Sequence, residues 1–122
     1  MTSPTVRTHE TASNCTVALT LAQIGDRWTI LILRELFYGA SRFEQIHSVL
    51  RCPRNLLATR LQRLVKDEII ERSSYKEPRQ RSRPAYSLTD RGRELFPVLM
   101  ALMHWGDHYL ADDVPPVVAE AT

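Results

Sequence analysis

Residues 41–66, SRFEQIHSVLRCPRNLLATRLQRLVK, decide the fold. Ser41 and Glu44, three positions apart, have the spacing of a capping box, which predicts a short helix of about two turns after them. Pro53 suits the first position of a further helix, where its missing N–H costs nothing, and that helix can continue to about Glu68. Two helices joined by a short turn predict a helix-turn-helix.

The second of these helices has two chemically different sides when it is placed on a wheel of about 100° per residue. Apolar residues gather on one side, namely Leu57, Leu61, Leu64 and Val65. Arginine and amide side chains on the other side are the types that bond to guanine and adenine edges, and small residues between them allow close approach to DNA. The expected base contacts are Arg54, Asn55, Ala58, Thr59 and Gln62. Taken alone, this helix leaves an ordinary solvated polar face equally open.

A basic hairpin is predicted directly after the helix pair. Residues 69–75 and 84–88 have the β-branched and apolar content of short strands, and KEPRQRSR at 76–83 cannot form a core. Four cations and one acid in this tip predict a wing that tracks phosphates or enters the minor groove, whereas a merely soluble loop predicts mixed signs. The expected backbone and wing contacts are Arg42, Arg63, Lys66, Lys76, Arg79, Arg81 and Arg83.

Two helices are predicted before the helix-turn-helix. Thr16–Ile24 forms the first, which Gly25 should end by taking a positive φ. Asp26 can start the second, Arg27–Tyr38, which is apolar on most sides and should lie at the centre of the core. Gly39 should end it.

A long helix is predicted after the hairpin, capped by Thr89 and running from Asp90 to about Leu110. Its apolar surface is wider than a core of this size covers from one side, so part of it should meet a second copy across a twofold axis. Packing with the first helix would set two recognition helices about 34 Å apart. The expected dimer interface is Val17, Leu21, Leu99, Leu102, Met103, Trp105 and Tyr109.

The charge of the chain is unevenly distributed. Residues 51–93 carry twelve Lys or Arg against five Asp or Glu, residues 1–50 are balanced, and residues 94–122 carry five acids and no Lys or Arg. A phosphate-facing surface produces such an asymmetry, although the net charge is only +2. Duplex DNA is therefore the expected partner.

Length and composition predict one mainly α winged helix-turn-helix domain at 14–111, with flexible tails at 1–13 and 112–122. The 43% hydrophobic and 25% charged fractions are those of a globular protein. No apolar run approaches the roughly 18 residues of a membrane span, and the first residues lack the apolar centre of a signal peptide, so a cytoplasmic protein is expected.

Nothing in the sequence indicates an enzyme, a cofactor or a metal site. No glycine-rich phosphate loop, nucleophile elbow or paired carboxylate set is present. His104 and His108 lie four apart, but neither a His-Glu-x-x-His arrangement nor an obvious third ligand accompanies them. Catalytic and metal-binding residues are therefore expected to be absent.

Cys15 and Cys52 are too few for a disulfide framework. Cys15 lies at the start of the first helix, where unpaired N–H groups and the helix dipole would stabilise a thiolate. A sensor of oxidants or electrophiles and a buried small residue are both open for it. Cys52 is expected at the cap position of the recognition helix, where a substitute for a polar cap is the simpler interpretation and a sensor the alternative.

The chain resembles the HxlR-type winged-helix regulators over about Cys15 to Tyr109. The matching segments are Cys15, Ile24-Gly25-Asp26-Arg27-Trp28-Thr29, Leu31-Ile32-Leu33-Arg34-Glu35-Leu36, Arg42-Phe43, Ile46, Leu56-Leu57, Arg60-Leu61, Leu64, Glu71-Arg72, Tyr86-Ser87-Leu88-Thr89, Gly92 and Trp105-Gly106. Each match is weak alone, but together they are highly specific.

The resemblance implies a homodimer built from the first and last helices, with the recognition helix in the major groove and the wing on the flanking backbone. Several members of the family sense oxidants, aldehydes or quinones through the cysteine that matches Cys15, so such a compound is the implied effector. Two departures stand out: Thr16 replaces the usual proline, and Arg51-Cys52 replaces the usual polar cap. Two other functions stay open, a winged-helix module that binds an acidic protein and a thiol-dependent enzyme that uses Cys15.

Overall fold

The computed structural model describes residues 15–76, 78–79 and 81–113. The helices are α1 (Thr16–Ile24), α2 (Arg27–Phe37), α3 (Phe43–Leu50), α4 (Arg54–Lys66), α5 (Asp90–Arg93) and α6 (Phe96–Tyr109). The strands β1 (Ile70–Tyr75) and β2 (Arg83–Leu88) lie between α4 and α5, and a 3₁₀ turn (Ala111–Asp113) follows α6. The predicted winged helix-turn-helix is confirmed. The predicted N-terminal tail and all but two residues of the C-terminal tail lie outside the described ranges.

The junction of α1 and α2 is a sharp bend of 76°. Oδ2 of Asp26 accepts hydrogen bonds from the backbone N–H groups of Trp28 at 3.1 Å and Thr29 at 3.3 Å, which confirms Asp26 as the cap of α2. Gly25 ends α1 with φ −77°, so the predicted positive φ is wrong. Glycine is needed there for space, because a Cβ would lie 2.4 Å from the carbonyl oxygen of Leu21.

No single helix in the described part of the chain is long and apolar enough to cross a membrane. The bent pair α1 and α2 meets that requirement only when the two helices are counted together.

The core is built around α2, as predicted. Ile32 and Leu33 are fully buried and belong to one apolar cluster with side chains of α1, α3, α4, β1 and α6. The other buried members are Ile24, Leu36, Ile46, Cys52, Leu57, Leu61, Leu64, Ile69, Ile70 and Leu99. This cluster fixes α3, α4 and β1 against α2, so the outer surface of α4 has a defined position.

The start of α3 differs from the predicted capping box. Oε1 of Gln45 accepts hydrogen bonds from the backbone N–H groups of Ser41 and Arg42, both at 2.9 Å. Glu44 is not the capping residue because its carboxylate pairs with Arg54 of α4 instead. The N-cap of α3 is therefore Arg42, one residue after the predicted cap Ser41.

The turn between α3 and α4 is also displaced from its prediction. Arg51 ends α3 in the left-handed region at φ 55°. Pro53 was predicted as the first helical residue of α4, but it is the N-cap, and the helix begins at Arg54. Cys52 does not take the predicted cap position, because the turn directs its side chain into the core, where it is 2% exposed. α4 ends at Lys66, since Glu68 takes φ 61° and cannot continue it.

The two antiparallel strands form the predicted hairpin, with Ile70 opposite Leu88 and Tyr75 opposite Arg83. Thr89 caps α5 by accepting a hydrogen bond from the N–H of Gly92 at 3.0 Å, and its hydroxyl donates to Glu68 O at 2.7 Å. A Cβ on Gly92 would lie 2.0 Å from the carbonyl oxygen of Ile69. The hairpin and α5 are therefore packed too closely for any other residue at position 92.

The final helix is interrupted, which corrects the prediction of one continuous helix from Asp90 to Leu110. α5 ends at Arg93 and α6 begins at Phe96. Pro97 is the cause, because it has no N–H to donate to the carbonyl of Arg93 and its ring clashes with that group. Leu95 N and Val98 N bond instead three residues back, to Gly92 O and Leu95 O, both at 3.0 Å.

Candidate nucleic-acid interface

The outer face of α4 is a continuous polar stripe, as predicted from the wheel. Asn55, Thr59, Gln62 and Lys66 are exposed and follow one another at intervals of four, three and four residues, which keeps them on one side of a helix. Ala58 is half-buried beside them. The opposite side, with Leu57, Leu61 and Leu64, is buried in the core.

The side chains of this stripe are mostly uncommitted. Asn55, Gln62 and Lys66 make no side-chain hydrogen bond with other residues that the structure describes. The hydroxyl of Thr59 donates to Asn55 O at 2.7 Å, so it retains only acceptor capacity. The amides can each offer a donor and an acceptor side by side, which is the pattern that pairs with an adenine edge.

Arg54, at the start of α4, is held by an acid of α3. Its Nη1 and Nη2 donate to Oε2 and Oε1 of Glu44 at 2.7 and 2.9 Å, and its guanidinium lies 5.6 Å from the centre of the Phe43 ring. The hydrogen bond from Arg54 lowers the pKa of Glu44 below its ordinary value, and the charges of His47 and Arg83 act in the same direction. Both partners of the pair remain exposed, with side-chain exposures of 59% and 62%.

The predicted phosphate contacts have different surroundings. Arg42 is half-buried at the N-cap of α3, and Lys66 is exposed at the end of α4. Nη2 of Arg63 donates to Ala22 O of α1 at 2.8 Å, so part of this guanidinium serves the fold. Nearby, Nη2 of Arg91 donates to Oε1 of Gln23 at 2.5 Å, which gives α1 a second attachment.

The wing carries the predicted cations on its surface. Lys76, Arg79, Arg81 and Arg83 are all exposed, and Arg79 takes φ 66° in the turn at the tip. Glu77 and Gln80 lie outside the described residues. Because the charge of Arg83 reaches Glu44, the base of the wing and the start of α4 belong to the same surface.

A partly buried ion pair that the sequence does not signal sets the position of α4. Nε of Arg60 donates to Oδ2 of Asp26 at 3.1 Å, and the hydroxyl of Thr29 also bonds to Asp26. Partial burial raises the pKa of Asp26, but the bonds from Thr29 and Arg60 outweigh it, so the pKa lies below its ordinary value. The charged carboxylate therefore joins the cap of α2 to the middle of α4. Thirty-four residues separate the partners, and no local pattern signals such a contact.

The two cysteines lie in different environments. Cys15 is the N-cap residue of α1 and is half-buried, and both thiols are free. The alternative role of Cys52 as a sensor thiol beside DNA is not supported, because its side chain lies in the core and not on that surface. In the described ranges, no three His, Cys, Asp or Glu side chains are grouped so that they could hold a metal ion.

Most of the predicted dimer residues form exposed apolar surfaces on α1 and α6. Trp105 is 58% and Tyr109 64% exposed, and their rings contact each other with centroids 5.1 Å apart. A shallow, open groove lies along α6 and is lined by Pro97, Val98, Ala101, Leu102 and Trp105. On α1, Val17 and Leu21 are exposed.

Two residues of the predicted dimer set are placed differently. Leu99 is only 8% exposed because it packs into the core of its own chain, so it is not available to a partner. Met103 is half-buried at the edge of the exposed surface. The apolar face of α6 is thus narrower than the sequence indicated.

Comparison with known proteins identifies helix-turn-helix relatives of this chain. Residues 23–114 match the model of the HxlR-like helix-turn-helix family. The helix-turn-helix-type transcriptional regulator Rv3095 of Mycobacterium tuberculosis is 42% identical over 102 residues, which are 83% of this chain and 63% of that protein. The chain therefore spans less than two thirds of the length of this mycobacterial relative.

Two solved structures are similar to the fold. The candidate transcription factor PA1607 superimposes with a TM-score of 0.77 at 37% identity, covering 87% of this chain and 72% of that one. The redox regulator HypR in its reduced form superimposes with a TM-score of 0.70 at 28% identity, covering 82% of this chain and 96% of that one. The similarity thus extends from the sequence to the arrangement of helices and wing.

Proposed function

The chain belongs to the HxlR-like helix-turn-helix family, and from this premise we propose that it is a transcriptional regulator that binds a two-half-site operator as a homodimer. The observation that carries the proposal is the uncommitted polar stripe of α4. A helix that buries leucines on one side and leaves two amides and a lysine without partners among the described residues on the other has the surface that major-groove recognition requires.

Base contacts are assigned to the stripe and its edge. Asn55 and Gln62 pair with base edges, Thr59 accepts from an amino group or packs on a thymine methyl, and Ala58 lets the helix approach closely. Arg54 extends this surface at the start of the helix. Specific affinity is expected to depend on these residues and to vary with DNA sequence.

Phosphate contacts are assigned to the surrounding cations. Lys66 lies at one end of the stripe, and Arg83, at the base of the wing, acts on Glu44 near its other end. Lys76, Arg79 and Arg81 are exposed further along the wing. Arg42 completes the set from α3, and Arg63 contributes the N–H groups that its bond to Ala22 leaves free. These contacts supply sequence-independent affinity and hold α4 in register.

The homodimer is assigned to the exposed faces of α1 and α6. Isolated apolar residues on a surface are ordinary, but an apolar groove lined by exposed Leu102 and Trp105, with exposed Tyr109 against Trp105, is typical of an interface. A twofold axis through this face repeats α4 about one DNA turn away. Each half-site of the operator then meets an identical helix.

Replacing Arg79, Arg81 and Arg83 together with alanine should weaken binding to every duplex. Each lost phosphate contact should lower the slope of log affinity against log salt by up to about 0.9. The measurement is affinity for a random duplex from dilute to physiological salt, with Arg93→Ala, an arginine of α5 paired with Asp90, as the control for lost charge. An unchanged slope would remove the wing from the interface.

The same titration separates DNA binding from the other open function of the fold. A module that binds an acidic protein through its basic surface gives no mobility shift with duplex DNA, even in dilute buffer. A DNA-binding regulator must show nonspecific affinity under those conditions.

We also propose that Cys15 senses oxidants or electrophiles for this regulator. The thiol is free, lies at the N-cap of α1 and is partly exposed, and the similar structure of HypR is that of a redox regulator. A peroxide would oxidise the thiol to a sulfenic acid and be reduced to water, whereas a quinone would add the S–H across its ring. Either product changes the size and polarity of a side chain at the start of the proposed dimer helix.

An oxidant or quinone should therefore change the DNA affinity of the wild-type protein and leave that of Cys15→Ser unchanged. Cys52→Ser, which alters a thiol in the core, should respond like the wild type. Equal responses of the wild type and Cys15→Ser would reject this role. One modification per thiol is expected, whereas a thiol-dependent enzyme would consume the oxidant repeatedly.

A further inference from the structure

An acidic side chain lies on the surface that we assign to DNA. Glu44 is exposed on α3, pairs with Arg54 and is influenced by the charge of Arg83. A carboxylate in this position repels phosphates and lowers affinity for any duplex. Its presence therefore calls for an explanation that general phosphate attraction does not provide.

The geometry of its ion pair with Arg54 is specific. Both terminal nitrogens of the guanidinium donate to the carboxylate, at 2.7 and 2.9 Å, which occupies the end of the planar group. The centre of the Phe43 ring lies 5.6 Å from the guanidinium carbon. The ring of His47 is nearly parallel to that of Phe43, with 6.1 Å between the two ring centroids. The guanidinium is thus restrained both within its plane and from one face.

The restraint leaves a second recognition edge available. A guanidinium has five N–H donors, and an end-on carboxylate uses two of them. The Nε–H and the outer N–H of the adjacent Nη remain parallel along the side of the group. This pair matches the O6 and N7 acceptors of guanine in the major groove.

We propose that Glu44 is a specificity-determining residue that positions Arg54 to bind one guanine in each half-site. The inference rests on the proposed DNA binding of α4 and adds a role for a residue that makes no attractive contact with DNA itself. Without Glu44, a long exposed arginine can turn to the nearest phosphate, where it adds affinity and no sequence information. Glu44 therefore exchanges general affinity for selectivity.

The electrostatics agree with this role. The hydrogen bond from Arg54 lowers the pKa of Glu44 below its ordinary value, which favours the ionised carboxylate that the pair requires. The positive charge of Arg83 partly offsets that of Glu44 toward the DNA backbone. The start of α4 therefore stays attractive to DNA while Arg54 is withheld from the phosphates.

The test compares the sequences selected by the wild type, Glu44→Gln and Glu44→Ala from a random duplex library. The wild type should select a guanine in each half-site, and both variants should lose about tenfold in preference for it. Their affinity for a random duplex should rise by up to about threefold, because one negative charge is removed and Arg54 is released. Glu71→Gln removes an exposed acid from β1 instead and should change neither the preferred sequence nor its selectivity.

Arg54→Ala identifies the base concerned. It should lose the same guanine preference, and adding Glu44→Ala to it should change that preference no further, because the two residues act as one unit. Unchanged guanine selectivity in Glu44→Ala and Glu44→Gln would overturn the inference while leaving the proposed function intact. Failure of the wild type to bind any duplex would instead overturn the proposed function. The pair is exposed, so circular dichroism should show that all variants fold.

Discussion

Replacing Leu102 by glutamate should convert the protein from a dimer to a monomer and abolish tight operator binding. Leu102 lines the exposed groove of α6, and twofold symmetry would place two copies of the substitution in one interface. Each leucine that loses its burial costs about 1.5–3 kcal/mol, and each new carboxylate adds a desolvation cost. The dissociation constant of the dimer should therefore rise more than about 100-fold. Sedimentation velocity over a range of protein concentrations measures this change.

His104→Glu is the matched control for the dimer experiment. It adds the same acidic group to the same helix, two residues further along, at an exposed position that does not line the groove. The control should remain dimeric and bind the operator. A dimeric Leu102→Glu protein would show that the groove of α6 is not the interface.

Replacing Asn55 and Gln62 together with alanine should reduce affinity for the selected operator about 1,000-fold. A dimer on two half-sites loses four base contacts, and at about 1 kcal/mol each the total is about 4 kcal/mol. Affinity for a random duplex should stay nearly constant, because neither residue carries charge and the phosphate contacts remain. Titration of both duplexes at one salt concentration gives the two numbers.

Lys66→Ala is the comparison for this pair. It lies on the same stripe of α4 but is assigned to a phosphate, so it should weaken binding to both duplexes by a similar factor. An equal loss on both duplexes for Asn55→Ala/Gln62→Ala would show that the stripe does not read bases. Both predictions use side chains without structural partners among the described residues, so the stability of the protein should change little.

The parts of the fold that were predictable from the sequence are those that depend on local periodicity. The wheel of α4 separates Leu57, Leu61 and Leu64 from the polar stripe, and the structure has the same division. The β-hairpin and the caps at Asp26 and Thr89 were predicted within a residue for the same reason. In each case the signal lies within a few positions of the feature that it predicts.

Long-range side-chain contacts account for the parts that were not predictable. The capping box at Ser41 was wrong because Glu44 pairs with Arg54, ten residues away, and Gln45 takes its place. Arg63 meets α1 across 41 residues, and Leu99 meets the core of its own chain. Periodicity records which residues are apolar or charged, but the packing of several helices decides what each one contacts.

The attachment of α1 has a consequence for cooperativity. Arg63, at the flank of the polar stripe of α4, and Arg91 both hold the C-terminal end of α1, whose exposed apolar surface is part of the proposed dimer interface. In the proposed complex, the partner chain contacts α1 and the duplex contacts α4, and the bond from Arg63 joins these two helices. Thermodynamic reciprocity requires that any factor by which self-association tightens the grip on an operator is also the factor by which the operator tightens self-association.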